Sequence, residues 1–150
     1  MTRVDFYVLD DDGEHAREQF ACRLVEKAFR LRHRVFVHTP SPGDAQQLDR
    51  LLWTFSDGSF VPHVLDAADL EPALAEATPV RVGSGAEPAA EAELLVNLDA
   101  GVPAFFSRFD RVAEIVAGDE TRRGQARERF RFYRDRGYEI ETHQLAGRAR

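Results

Sequence analysis

The sequence predicts an α/β fold: a single domain on a mostly parallel, doubly wound (Rossmann-like) sheet flanked by helices. Three observations carry that expectation. Short apolar runs recur at FYVL, RVFVHT, ELLVNL and RVAEIVA, as expected of strands buried on both faces. Segments with helical period lie between several of them. No internal repeat or obvious linker divides the 150 residues, 43% of which are hydrophobic, so one core over residues 1–150 is the simplest organisation.

The elements follow in order. VDFYVLD (4–10) reads as a buried strand. Residues 14–31 then take helical period, with Phe20, Leu24, Ala28 and Leu31 on one stripe and charges opposite. The acids of DDDG (10–13) precede that helix and suit its positive end. RVFVHT (34–39) is a second strand, and SPGD leads into a helix over 45–55 that DGS stops. FVPHVL (60–65) is a short extended piece limited by Pro62. Residues 66–93, rich in Ala, Glu, Pro and Gly, are the loosest region, interrupted by a strand at 79–83. ELLVNL (93–98) and RVAEIVA (111–117) are buried strands. Residues 119–137 form a helix with acids at its start and Gly137 as its stop. YEIETHQL (138–145) alternates like an edge strand, and 146–150 is a frayed tail.

Composition narrows the function classes. The net charge is −6, which opposes duplex DNA binding because phosphate contacts need a broad basic surface. Cys22 is the single cysteine, so an internal disulfide and a cysteine-cluster metal site are both excluded. The longest apolar runs fall far short of the ~20 residues needed to span a bilayer. The N-terminus enters a strand-like pattern without a signal-peptide segment, so no membrane association and a cytoplasmic location are expected.

Enzyme-like signals are sparse. FYVLDDDG (6–13) resembles the nucleophile motif of Mg²⁺-dependent haloacid-dehalogenase-type phosphohydrolases, with Asp10 as nucleophile and Asp12 as second acid. Thr39 would supply a phosphate-binding hydroxyl. Against this, Glu14 stands where Thr or Val is usual, and Lys27, the only lysine, lies inside the first helix. An acidic cap on a solvated turn accounts for the motif more simply. GSG (83–85) lacks the spacing of a phosphate loop, and no Walker-type motif exists. His15, His33, His38, His63 and His143 are dispersed without a ligand pair. His63, after Pro62, is expected to hold a backbone hydrogen bond. No metal, cofactor or catalytic residue is expected.

The strongest local feature is basic. Residues 121–136 hold seven arginines against Glu128 and Asp135. At 3.6 residues per turn, Ala126, Phe130, Tyr133 and Gly137 share a stripe facing the sheet, while Arg123, Arg127, Arg131 and Arg134 form the neighbouring stripe. Phe130 sits on the boundary, so the arginines form a cationic rim around an apolar edge. Three uses compete: a solvated face with arginines paired to Glu128 and Asp135, a socket for an acidic partner, and single-stranded DNA binding by stacking on Phe130 and Tyr133. Elsewhere, Leu52 and Trp53 point about 100° apart on their helix, so one of them is exposed. An exposed Trp near Phe60 is a typical interface anchor.

In combination, FYVLD, LDRLLW, SFVPH (59–63), LLVNL and ARERFRFYRDRGY (126–138) resemble the chi subunit family of the bacterial DNA polymerase III holoenzyme, in order and over nearly the whole chain. The resemblance implies a non-catalytic α/β subunit of the clamp-loader assembly. Such subunits tether the replicase to single-stranded DNA-binding protein by gripping its acidic, Phe-ending C-terminal tail, and reach DNA only indirectly. The matching tail-binding positions are Arg127, Phe130 and Arg131, with Arg123 and Val116 nearby. Phe130 replaces the usual Tyr, and Arg123 and Arg131 stand where lysines are common. Trp53 and Phe60 match aromatic positions on the surface that meets the psi subunit, or a helicase competing for it.

Overall fold

The structure, a computed structural model, describes residues 1–10, 13, 15–67, 69–88 and 92–145. Its seven strands are β1 (Arg3–Leu9), β2 (Val35–Thr39), β3 (His63–Leu65), β4 (Val80–Ser84), β5 (Leu94–Asn97), β6 (Arg111–Val116) and β7 (Glu139–Leu145). They form one sheet in the order β3-β4-β2-β5-β6-β1-β7. The expected mostly parallel sheet is parallel at every pairing among the described residues. The helices are α1 (Ala16–Arg30), α2 (Pro42–Thr54), α3 (Pro72–Ala77) and α4 (Glu120–Asp135), with a 3-10 turn at Phe106–Arg108.

Alternation along each strand divides the core between the two faces of the sheet. Val35 and Val37 of β2 face one side, where Ala21, Cys22, Val25, Leu48, Leu52 and Ile115 join them beneath α1 and α2. Phe36 between them faces the other side, among Val4, Phe6, Leu95, Phe106, Phe109, Val112 and Tyr133, beneath α4. β2 is buried along its whole length, which explains an apolar run without polar alternation. β7 pairs only with β1, as its alternation predicts of an edge strand.

Several local expectations change. The buried face of α1 is Ala21, Cys22, Val25 and Ala28; it keeps Ala28 of the expected stripe and replaces Phe20 and Leu24 by the residues that follow them. Small side chains let the helix lie close to the sheet, so Phe20 and Leu24 flank the contact half-buried. Leu31 is exposed because the helix stops at Arg30 and Arg32 turns left-handed at φ 66°. The SPGD lead-in is itself the first turn of α2: the Ser41 hydroxyl accepts from the Asp44 amide at 3.1 Å, and Pro42 opens the helix. Helix α3 was not anticipated inside residues 66–93; Pro72 at its start is the signal that could have found it. The N-cap of α1 is His15, and Asp11, Asp12 and Glu14 lie outside the described residues.

Helix α4 is attached to the sheet through polar groups as much as apolar ones. It buries Ala126 and Tyr133, as expected, and also Arg129. Glu114 of β6 is fully buried beneath it. Its carboxylate accepts from Arg129 Nε and from the Tyr133 hydroxyl, both at 2.7 Å, and from Asn97 Nδ2 at 3.0 Å. Arg129 Nη1 donates to the Ala100 carbonyl at 2.9 Å. Burial pushes the Glu114 carboxyl above its ordinary range, while Arg129, Asn97 and Tyr133 pull against that. Every polar group at this contact is matched, as a buried polar network requires.

Candidate functional site

Where α4 crosses β1, it leaves an open groove of about 230 Å³, lined by Phe6, Val8, Val116, Arg123, Ala126, Arg127, Phe130 and Thr142. Three elements build it. Phe6 and Val8 alternate onto the α4 side of β1, Val116 ends β6 and Thr142 comes from β7. The register places Val8 beside Val116, and Phe6 beside Thr142. Phe130 closes one side, half-buried, its ring 5.3 Å from that of Phe6 and inclined at 62°. An engineered cavity of about 150 Å³ accepts a benzene ring, so the groove has room for one phenyl group.

Arginines border this apolar surface in different states. Arg123 is fastened down: its Nε donates to the Gly118 carbonyl at 3.1 Å and its Nη2 to the Leu9 carbonyl at 3.2 Å. Arg127 is exposed and reaches back along the helix to Glu120, 2.6 Å away. Both partners are solvated, so that pair is weak and exchangeable. The groove thus brings together Val116, Arg123, Arg127 and Phe130 of the five residues expected. Arg131 is not part of its lining; it lies one turn further along α4, paired to Glu128 at 2.8 Å. Phe6, Val8 and Thr142 were missed, because which strand face α4 covers depends on β1 lying between β6 and β7.

A second exposed aromatic pair lies on the α2 side. Leu52 is buried and Trp53 is 48% exposed, as their angular separation requires. Phe60 is 67% exposed, with its ring 5.6 Å from Trp53. Trp53 also packs 4.3 Å from the ring of His63. His63 Nδ1 meets the Val61 carbonyl at 2.7 Å and Nε2 the Asp49 carbonyl at 2.8 Å, so the imidazole is held by backbone, as expected.

Other candidate chemistry is not assembled. Tyr133 is fully buried with its hydroxyl on Glu114, so it cannot stack on a base. Asp10 follows the carboxyl end of β1, whereas Lys27 lines a pocket with Asp110 and Arg111 at the opposite end of the sheet. The Thr39 hydroxyl is committed to the Gly83 carbonyl at 2.9 Å, and Asp12 lies outside the described residues. Among the described residues, Asp5, Glu141 and His143 bring three ligand-type atoms within 4.8 Å of one another. Asp5 is already matched by Arg111 at 2.6 Å and His143 at 3.1 Å, which reads as an ion-pair network. Burial pushes the Cys22 thiol up to about 12, leaving it an inert core residue. No helix among the described residues is long and apolar enough to cross a membrane.

Comparison with solved structures shows the fold alone. The C-terminal domain of the DEAD-box protein Dbp5 superposes with a TM-score of 0.66 at 13% identity, over 95% of this chain and 90% of that domain. T4 UvsW gives 0.71 at 9% identity, over 97% of this chain and 42% of UvsW. Sequence comparison is more specific. The DNA polymerase III subunit chi of Pseudomonas aeruginosa is 42% identical over 97% of this chain and 98% of its own length. The subunit chi of Haemophilus influenzae is 29% identical over 93% and 94%, respectively. A sequence model of the family described as "DNA polymerase III chi subunit, HolC" matches residues 1–141, and the chain therefore belongs to the DNA polymerase III chi subunit family, with an accessory role in DNA replication.

Proposed function

We propose that this protein is a non-catalytic subunit linking the clamp loader of the replicase to single-stranded DNA-binding protein, whose acidic C-terminal tail it grips in the α4 groove. The observation that carries this reading is the pairing of an apolar slot with arginines: Phe6, Val8, Val116, Ala126 and Phe130 beside Arg123 and Arg127. A short acidic peptide ending in Phe needs that combination, with guanidinium donors for its carboxylates and an apolar slot for its ring. The contacts are exposed and charge-assisted, so the complex is weak and salt-sensitive. Arg131, one turn along from Arg127, meets the more distant acids. The net charge of −6 keeps the protein off the DNA that its partner coats.

The exposed Trp53–Phe60 pair supports a second contact on the other side of the sheet, with a psi-type clamp-loader subunit or a helicase competing for the same surface. An exposed Trp against a Phe has the composition of an interface hot spot. The two surfaces lie on different helices, so both partners can be held at once.

The test is titration of the full chain with a fluorescent acidic peptide ending in Phe. Arg127→Ala should abolish binding with the fold intact, and removing the terminal Phe from the peptide should do the same. Unchanged affinity in the variant would overturn the assignment.

A further inference from the structure

Outside the α4 groove, a concave surface lies at the carboxyl ends of the strands, between β2 and β5. These strands are neighbours, yet the chain leaves β2 through α2 toward β3 on one side and leaves β5 toward β6 on the other. In open parallel sheets, ligands bind where connections diverge in this way. Two adjoining hollows occupy the position, of about 280 and 360 Å³, and they share Arg17, Pro40 and Leu98. Together they have the dimensions of a cofactor-sized cleft.

The two hollows differ in chemistry. The larger is polar and holds three arginines from two helices on opposite faces of the sheet: Arg17 of α1, and Arg122 and Arg129 of α4. Arg129 is balanced by buried Glu114. Arg17 Nη1 donates to the Leu98 carbonyl at 2.8 Å and Nη2 to Glu18 at 3.0 Å, which leaves Nε buried and without a hydrogen-bond partner. Arg122 makes no ion pair among the described residues. It folds back over Gly118, where any Cβ would fall 2.7 Å from Arg122 Cδ. The two carboxylates in this hollow are already engaged. Asp119 caps α4 by accepting from the Arg122 amide at 3.0 Å, and Asp99 accepts from the Ala100 amide at 2.7 Å and meets His38 at 3.2 Å. The smaller hollow adds apolar walls from Leu48 and Leu51, and its carboxylates are engaged, Glu18 by Arg17 at 3.0 Å and Asp44 by the Ser41 hydroxyl at 2.8 Å.

We propose that this cleft binds a phosphate-bearing ligand of nucleotide size, its phosphoryl oxygens held by Arg17 and Arg122 and its remaining bulk against Leu48 and Leu51. There is no glycine-rich loop here, and Asp119 occupies the first turn of α4, so guanidinium groups take the place of backbone amides. Arg122, which makes no ion pair among the described residues, is the donor such an anion would satisfy, and the neighbouring Arg17 adds its positive charge. Phosphoryl oxygens could come from an inorganic anion or from a nucleotide, and the apolar hollow separates the two.

The experiment is calorimetric titration of the full chain with ADP, pyrophosphate and adenosine, run in chloride buffer at fixed ionic strength. Saturable binding of ADP or pyrophosphate is expected, with adenosine silent. Arg122→Glu, at an exposed position, should weaken that binding by at least about tenfold, the worth of one charge-assisted contact. The same variant should keep its thermal midpoint, and Arg122→Gln, which adds no negative charge beside Arg123, should keep its affinity for the acidic peptide. Tighter ADP than pyrophosphate would assign the smaller hollow to a nucleoside, and equal affinities would assign the cleft to the inorganic anion. The proposal is overturned if neither anion saturates, if adenosine binds as tightly as ADP, or if Arg122→Glu and Arg17→Gln both bind like the parent protein.

Discussion

Phe6 of β1 and Phe130 of α4 meet edge to face, centroids 5.3 Å apart, and their contact forms one wall of the apolar groove beside Arg127. The two rings carry different burdens. Phe6 is buried and also packs on Tyr133 at 6.0 Å, whereas Phe130 is only half-buried. Phe6→Ala is therefore expected to cost about 3–5 kcal/mol of stability. Phe130→Ala should cost clearly less while still weakening the acidic peptide. Denaturant melts alongside peptide titration separate the two effects; equal destabilisation by both variants would contradict this division.

Glu120 competes for Arg127 in the free protein. Their contact of 2.6 Å joins two exposed side chains, and such pairs are worth about 0–1 kcal/mol. A peptide carboxylate must displace Glu120 to reach the guanidinium. Glu120→Gln is expected to tighten acidic-peptide binding by up to about fivefold, with stability changed by no more than about 1 kcal/mol. Weaker binding in that variant would show that Glu120 positions Arg127 instead of competing for it.

The seat of α4 depends on one buried charge. Removing Glu114 strands Arg129 without a counter-charge and leaves the Tyr133 hydroxyl unmatched. Glu114→Ala is expected to destabilise the protein by about 3–5 kcal/mol. Because the groove exists only while α4 holds its place, peptide affinity should fall too, although Glu114 does not line the groove. Chemical denaturation measures the first effect and peptide titration below the transition the second.

The run of apolar strands, the edge character of β7 and the helix with its arginine stripe were legible in the sequence, because period and capping are local signals. Val116, Arg123, Arg127 and Phe130 could be placed near one another through the chi-family resemblance. Arg129 lies off the arginine stripe, three residues after Ala126 and four before Tyr133, so helical period places it at the edge of the buried face; what stays hidden is its partner Glu114, fifteen residues earlier on β6. The rest of the groove floor is hidden, since Phe6, Val8 and Thr142 join Val116 only once β1 is inserted between β6 and β7. Of the stripe expected on α1, Ala28 lies in the core while Phe20 and Leu24 flank it, because close helix-to-sheet contact favours small side chains such as Ala21 and Cys22.

His38 should make stability depend on pH below neutrality. Its ring lies in the core between Phe36 and Phe105, with Nε2 3.2 Å from Asp99 and Nδ1 buried without a partner. Burial pulls its pKa below the ordinary 6.5, and Asp99 opposes this only in part. The folded state is then reluctant to accept a proton that the unfolded chain takes up readily. By linkage, the stability associated with neutral His38 is complete above about 6.5 and is lost as pH falls from there toward the lower folded pKa. Guanidinium melts between pH 7.5 and pH 5, about the span of ordinary histidine titration, should show falling stability. His38→Gln should flatten that part of the slope. An unchanged slope in the variant would mean that other groups carry the acid sensitivity.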